Sequence, residues 1–351
     1  MTDISEMIRQ AFSKSFSGSF SQNYRYLKES ASITIDRESL YEKLAQEPDS
    51  FIKNVFLYNL ISEDKVIKTA AGKYRLKDTV DETYTFNTSS GQLSEDVIYD
   101  QTLEKYVQFM PEAAVRIWQY AFMEMMNNAI DHSNAENIEV RVLQNSIYTK
   151  VAISDDGVGI FKKIADYFEY PKLKDAVLSL FKGKLTTDRA NHSGEGIFFS
   201  SKAVDHFHIV SDGLIFRQDN TAENVRQAPE NFNAKGTTVS MILANNTQRR
   251  IKDVFDTYCD IEHGFTTTRI PISFVSDTGY PVSRSQAKRL CFGLENFEHI
   301  ILDFDGVSEI GQGFADEVFR VYANNHPMIR LDYENATPDV ERMIRHVVIK
   351  S

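Results

Sequence analysis

Four short motifs in a fixed order constrain this chain more tightly than its composition does. Residues 124–132 read EMMNNAIDH inside a stretch where Ala114, Ile117, Ala121, Phe122, Met125, Ala129 and Ile130 recur at helical spacing, which predicts a long amphipathic helix. Glu124, Asn128 and His132 fall at i, i+4 and i+8, so one helix face lines up a carboxylate, an amide and an imidazole. The carboxylate can act as a base and the amide oxygen can hold a hard cation, although a solvated polar face satisfies the same spacing. The run ISDDGVGI at 153–160 follows a predicted strand, and its glycines Gly157 and Gly159 let backbone approach a ligand. Asp155, two positions before the first glycine, can accept from an exocyclic amine, while a plain tight turn explains the same letters. Gly194 and Gly196 lead into the helical run from Ile197 and Phe198, a setting that favours phosphate oxygens. The last motif, KGTTV at 235–239, opens a strand and contains Thr238.

That order, ExxxN with a following His on a helix, DxGxG after a strand, GxGI into a helix and GTT opening a strand, resembles the GHKL superfamily. These are the gyrase, chaperone, histidine kinase and mismatch-repair type ATPases. The resemblance implies a central Bergerat-type α/β sandwich at 96–275 that binds ATP with magnesium. It implies Glu124 as the base that orients the attacking water, Asn128 as the magnesium ligand, and Asp155 as acceptor for the adenine amino group. Gly157 and Gly159 would turn beside the adenine, Gly194, Gly196 and Ile197 would meet phosphates, Thr238 would support Asp155, and His132 would join the nucleotide site. The interval Phe161 to Ser193, with Lys182, Lys184, Thr186, Thr187 and Arg189, would be the ATP lid. A lysine there could meet the terminal phosphates, and Lys184 is carried as that candidate.

The C-terminal stretch 276–351 alternates helix and strand in its own right, with helices expected at 287–297, 314–324 and 339–346 and strands at 299–304 and 328–333. Its run ILDFDGVSEIGQG at 301–313 resembles the strand, loop and helix start of STAS domains in anti-anti-sigma factors. A phosphorylatable serine opens that helix in the family; Gly311, Gln312 and Gly313 stand there in this chain, and Ser308 lies earlier in the loop.

Residues 1–78 predict short helices at 3–16, 40–44 and 51–60, the first opened by an Asp3 to Glu6 capping pair, then a hairpin between 65 and 76 around Ala71, Gly72 and Lys73. That pattern resembles a winged-helix module, and a helical cap on the next domain is the competing reading. Residues 79–95 are polar and read as a linker. The fold class expected is therefore α+β in three parts, resembling a bacterial family that joins a helix-turn-helix-like region, a GHKL ATPase and a STAS-like domain.

Charge sorts the partners. The chain carries a net charge of -11, yet residues 1–78 hold 12 Lys/Arg against 11 Asp/Glu while the remainder holds 27 against 39. DNA contact, which needs local excess of Lys and Arg, is therefore expected only from the N-terminal part. With 42% hydrophobic and 25% charged residues, collagen-like and wholly disordered readings are excluded. No apolar run nears the roughly 18 residues of a spanning helix, and Asp3 and Glu6 oppose a leader peptide, so a cytoplasmic protein without membrane contact is expected. The two cysteines, Cys259 and Cys291, have no metal or disulfide spacing.

Three functions fit these motifs. The leading one is a Mg-dependent ATP-hydrolysing switch coupling nucleotide state to flanking DNA-binding or protein-binding modules, with a homodimer expected by analogy. The others are an anti-sigma-type serine kinase and a non-catalytic, nucleotide-sensing transcription regulator. A histidine kinase fits least, because none of the 8 histidines sits in a recognisable dimerisation helix.

Overall fold

The computed structural model describes residues 77–90, 93–184, 194–221, 235–276 and 279–349, together with three short strands nearer the N-terminus. Those strands, β1 (Ile35–Asp36), β2 (Val66–Lys68) and β3 (Lys73–Leu76), form a small antiparallel sheet in the order β1-β3-β2. The expected hairpin is there as β2 against β3, with Val66 opposite Leu76. The helices expected at 3–16, 40–44 and 51–60 lie outside the described residues.

A six-stranded sheet forms the centre, built from β4 (Val80–Asn87), β5 (Asn137–Gln144), β6 (Tyr148–Asp155), β7 (His206–Ser211), β8 (Leu214–Asp219) and β9 (Thr237–Ala244). Its order is β4-β5-β6-β9-β7-β8, and every neighbouring pair is antiparallel. Side chains alternate across a strand, so Ile138, Val140 and Val142 of β5, Val151 and Ile153 of β6, and Val239, Met241 and Leu243 of β9 share one buried face. Among the described residues six helices accompany the sheet: α1 (Glu95–Tyr99, continued by a π-helical turn over Asp100–Glu104 and by Lys105–Val107), α2 (Glu112–His132), α3 (Ile160–Tyr167), α4 (Leu173–Lys182), α5 (Gly196–Ala203) and α6 (Ile251–Tyr258). The long α2 packs on β6, β9 and α5. Its Ala114, Ile117, Ala121, Phe122 and Met125 are fully buried, as the helical spacing predicts. Each large apolar side chain so buried contributes roughly 1.5–3 kcal/mol, which is what holds α2 against the sheet with its polar face turned along the helix layer.

A short antiparallel pair, β10 (Cys259–Asp260) with β11 (Gly264–Phe265), leads into a second sheet. There β12 (Thr267–Pro271), β13 (His299–Asp303) and β14 (Arg330–Glu334) run parallel in that order. The intervening helices are α7 (Arg284–Cys291), α8 (Gln312–Asp316, continued by a π-helical Glu317–Tyr322 and by Ala323–Asn325) and α9 (Pro338–Val348). Ser283 and Gln286 form a reciprocal capping box at the start of α7, and Thr337 caps α9 ahead of Pro338.

The chain is mixed α/β as expected, with four departures. Residues 79–95, expected as a linker, supply the edge strand β4, whose Val80, Tyr84 and Phe86 pack on the core. The second sheet begins at Thr267 with β12, ahead of the expected boundary at 276. Much of the expected lid is core, since Phe161, Ile164 and Ala165 of α3 and Ala176, Val177 and Phe181 of α4 are buried. The helix expected over 287–297 breaks after Cys291, where Gly293 takes a left-handed conformation with φ 80°. One hydrophobic core runs through both sheets, from Ile98 to Val347.

Candidate functional site

The C-terminal half of α2, the end of β6, the start of β9, and helices α3, α4 and α5 enclose one cleft. About 1030 Å³ of space free of protein atoms lies in and over it, open solvent included. Glu124, Asn128 and His132 all line it, because four-residue spacing stacks them on one face of α2. Asp155, Gly159, Gly194, Gly196 and Ile197 line it as well. The apolar part of the wall comes from Ile153, Ile160, Ile164, Leu180 and Val239.

Asp155 sits at the end of β6 on the same pleat parity as Val151 and Ile153, which turns its carboxylate toward the helices. Its Oδ1 accepts from the backbone N–H groups of Gly157 at 2.9 Å and Thr237 at 3.3 Å. Burial raises its carboxyl above the usual carboxylate range, against the lowering effect of those two amides. The next residue does a different job. Asp156 accepts from the amides of Glu136 and Asn137 and from the Asn137 side chain, which ties the loop after α2 to the turn after β6 and lowers its carboxyl.

Gly157 does not line this cleft. It is where the turn passes over the end of α2: a methyl group there would overlap the Ser133 carbonyl oxygen. Gly196 opens α5 directly under the Glu124 side chain, and a methyl group there would overlap Oε2 of Glu124. That contact brings the first and third sequence motifs together. One turn before Glu124, burial pushes the Tyr120 hydroxyl far above its ordinary range, helped by the charges of Glu124 and Glu195.

Two further expected residues lie elsewhere. Thr238 is on the opposite face of β9, paired with Ser154, whose hydroxyl is 3.0 Å from its own. Thr237 takes the expected place: it is opposite Asp155 in the β6–β9 register, its amide donates to Asp155, and its Oγ1 accepts from the Ile160 amide at 3.1 Å. Lys184 is held by the second sheet's unit instead of the cleft. Its Nζ donates to the Asn296 carbonyl at 2.9 Å and stands over the rings of Phe297 and Phe265 at 4.9 and 5.5 Å. Thr186, Thr187 and Arg189 lie outside the described residues.

Sequence reasoning missed Lys163. It lines the cleft from α3, and its Nζ donates to the His132 carbonyl at 2.8 Å, bridging the end of α2 to the helix that follows Gly159. Its signal was a basic residue one turn after the glycine pair. Among the described residues no group of three or more His, Cys, Asp or Glu side chains is arranged to hold a metal ion, and no helix is long and apolar enough to cross a membrane.

A search of curated proteins finds no match for this chain. Residues 286–341, from α7 to the start of α9, match a family model described as a STAS-like domain of unknown function (DUF4325). The STAS-like match therefore takes in most of α7, β13, α8, β14 and the start of α9, while β12 precedes the matched residues.

Proposed function

We propose that the cleft binds ATP with magnesium and hydrolyses it, in a Bergerat-type domain of the GHKL kind, and that the nucleotide state drives the flanking units. The observation that carries this reading is the convergence of Glu124, Asn128, Asp155, Gly194 and Gly196 on one cleft, from elements up to 72 positions apart in the chain. Asp155 suits an adenine amino group: two backbone donors already occupy Oδ1, so Oδ2 is the atom left to meet a ligand N–H. The apolar wall of Ile153, Ile160 and Val239 suits the faces of a base. The α5 end that carries Gly196 and Ile197 suits phosphate oxygens.

Magnesium fits this donor set. It keeps several waters and binds through one or two protein oxygens plus phosphates, so an all-protein cage is not required and the Asn128 amide oxygen suffices. When bound it would neutralise phosphate charge. Glu124 then orients a water for attack on the terminal phosphorus and takes its proton as the bond to the ADP oxygen breaks, leaving ADP and inorganic phosphate. Gly196 keeps the Glu124 carboxylate beside the phosphate-facing end of α5.

The serine kinase reading is disfavoured in cis, because the start of α8 offers no hydroxyl. A methyl group on Gly311 would already lie 2.7 Å from the Val282 backbone, so that turn is packed for glycine. The small sheet β1-β3-β2 supports a winged-helix reading of the N-terminal part, with DNA as the partner. Mg-dependent phosphate release by the whole protein, compared with Glu124→Ala, tests the hydrolytic reading. Salt-dependent retention of duplex DNA tests the partner.

A further inference from the structure

Helix α4 reaches both halves of the molecule within one turn. Leu180 lines the cleft, while Lys182, at 5% exposure, points into the STAS-like unit. There its Nζ donates to the carbonyls of Arg289 at 3.0 Å and Phe292 at 2.9 Å, two of the acceptors at the C-terminal end of α7. A cation at that end also meets the negative pole of the helix. The same junction is closed by three further contacts. Asp175 pairs with Arg289 at 3.0 Å, the Thr268 hydroxyl of β12 donates to the Lys182 carbonyl at 2.7 Å, and a methyl group on the next residue, Gly183, would lie 2.7 Å from the Phe265 ring.

Phe265 collects the other cleft wall too. Its ring meets Phe198 at 4.6 Å and Phe199 at 5.0 Å, both in α5 just after Gly196, and meets Phe297 at 5.3 Å. The two elements that flank the cleft, the end of α4 and the start of α5, are thus seated on one surface of the C-terminal unit.

We propose that Lys182 is a positioning residue that transmits occupancy of the cleft to the STAS-like unit, so that ligand binding and the arrangement of α7 share one equilibrium. This rests on the nucleotide reading above. A ligand that contacts Leu180 and the Gly194–Gly196 wall shifts α4 and α5 together, and Lys182 is the buried tether from α4 to the end of α7, beside the more exposed Asp175–Arg289 ion pair. By linkage, a partner bound to the STAS-like unit changes nucleotide affinity by the same factor that nucleotide changes the partner's.

The charge state of the tether makes it readable. Burial lowers the Lys182 ammonium to about 8, opposed by the facing Cys291 of α7, Asp175 of α4 and Glu295 after α7; Arg289 is the other charge at the junction. Coupling should therefore weaken as pH rises through 8.

The test uses the whole protein with the magnesium complex of AMP-PNP, its affinity measured from pH 6.5 to 9.5 and amide exchange followed over 284–292. In the wild type, binding should slow exchange there by about fivefold or more, with affinity falling above pH 8. Lys182→Met should lose both effects and Lys182→Arg should restore the protection. Arg289→Gln, at a partly exposed position, should weaken the protection if Lys182→Met does not fold. Binding in the wild type but not in Asp155→Asn, with exchange over 284–292 indifferent to nucleotide or unaltered in Lys182→Met, overturns the coupling and leaves the nucleotide reading standing. Equal lack of binding in wild type and Asp155→Asn overturns both.

Discussion

Gly196 lies so close beneath the carboxylate of Glu124 that no side chain, not even a methyl group, fits between them. Substituting Gly196→Ala should therefore push the Glu124 side chain off its position with little change at Asp155, which lies across the cleft. Turnover is expected to fall about 10²-fold, the scale of misplaced general-base catalysis, while nucleotide affinity changes by less than about tenfold. Steady-state ATP hydrolysis beside calorimetric binding separates the two; equal losses in both would contradict the assignment.

Asp155→Asn should abolish binding more sharply than its size suggests. The Gly157 and Thr237 amides that bind Oδ1 would hold the amide oxygen, leaving the NH₂ group to face the ligand amine, donor against donor. A loss of about 10²-fold or more in affinity is expected. In the wild type, acid should weaken binding as the carboxylate is protonated, and because burial raises its carboxyl the decline should begin above the ordinary aspartate value of about 3.9. Titration calorimetry at pH 4.5 and 7 shows whether that limb exists.

The two threonines of β9 should behave oppositely. Thr238→Val removes a hydroxyl contact to Ser154 on the far face and should leave nucleotide affinity within about twofold, a change under about 0.5 kcal/mol. Thr237→Val removes one of the two acceptors of the Ile160 amide, the other being the Ser211 hydroxyl at 3.2 Å, and should cost about 0.5–1.5 kcal/mol of stability at the start of α3. Urea denaturation and binding measured on both variants would reverse the assignment if Thr238 proved the sensitive position.

Lys182 gives a stability signature of unusual sign. Its folded-state value of about 8 lies below the free value of 10.5, so between those limits the unfolded chain holds a proton that the folded chain has released. Its contribution therefore improves as pH rises from 8 toward 10.5, at about 1.4 kcal/mol per pH unit, and is flat below 8. The Cys291 thiol, raised to about 12 by burial, works the other way from 9 upward. Urea unfolding of wild type and Lys182→Met from pH 7 to 9 isolates the lysine: the wild type should gain on the variant above pH 8, and parallel curves would refute the buried tether.

Phe265 stands between Phe198, Phe199 and Phe297 at 3% exposure, which predicts that both sheets unfold together. Phe265→Ala should cost about 3–5 kcal/mol and lower a single thermal transition. Two separate transitions in the wild type would show that the units are energetically independent.

Much of the cleft was legible because two periodicities carry it. Four-residue spacing put Glu124, Asn128 and His132 on one face of α2, and strand alternation put Asp155 on the parity of Val151 and Ile153. The same alternation, followed across to β9, selects Thr237 over Thr238, so that error came from matching letters where parity decides. Lys184 looked free to meet phosphate, but the rings of Phe265 and Phe297 that hold it lie 81 and 113 positions away, and no local pattern foretells them. The strand β4 was hidden by its place at the sheet edge. Only Val80, Tyr84 and Phe86 turn inward, and the polar residues between them read as linker.

The most direct measurement is Mg-dependent ATP turnover by the purified protein beside Glu124→Ala, with nucleotide binding measured on both. Turnover in the wild type, lost in Glu124→Ala while binding persists, is the predicted result. Equal turnover in the two proteins, or no nucleotide binding by either, would contradict it.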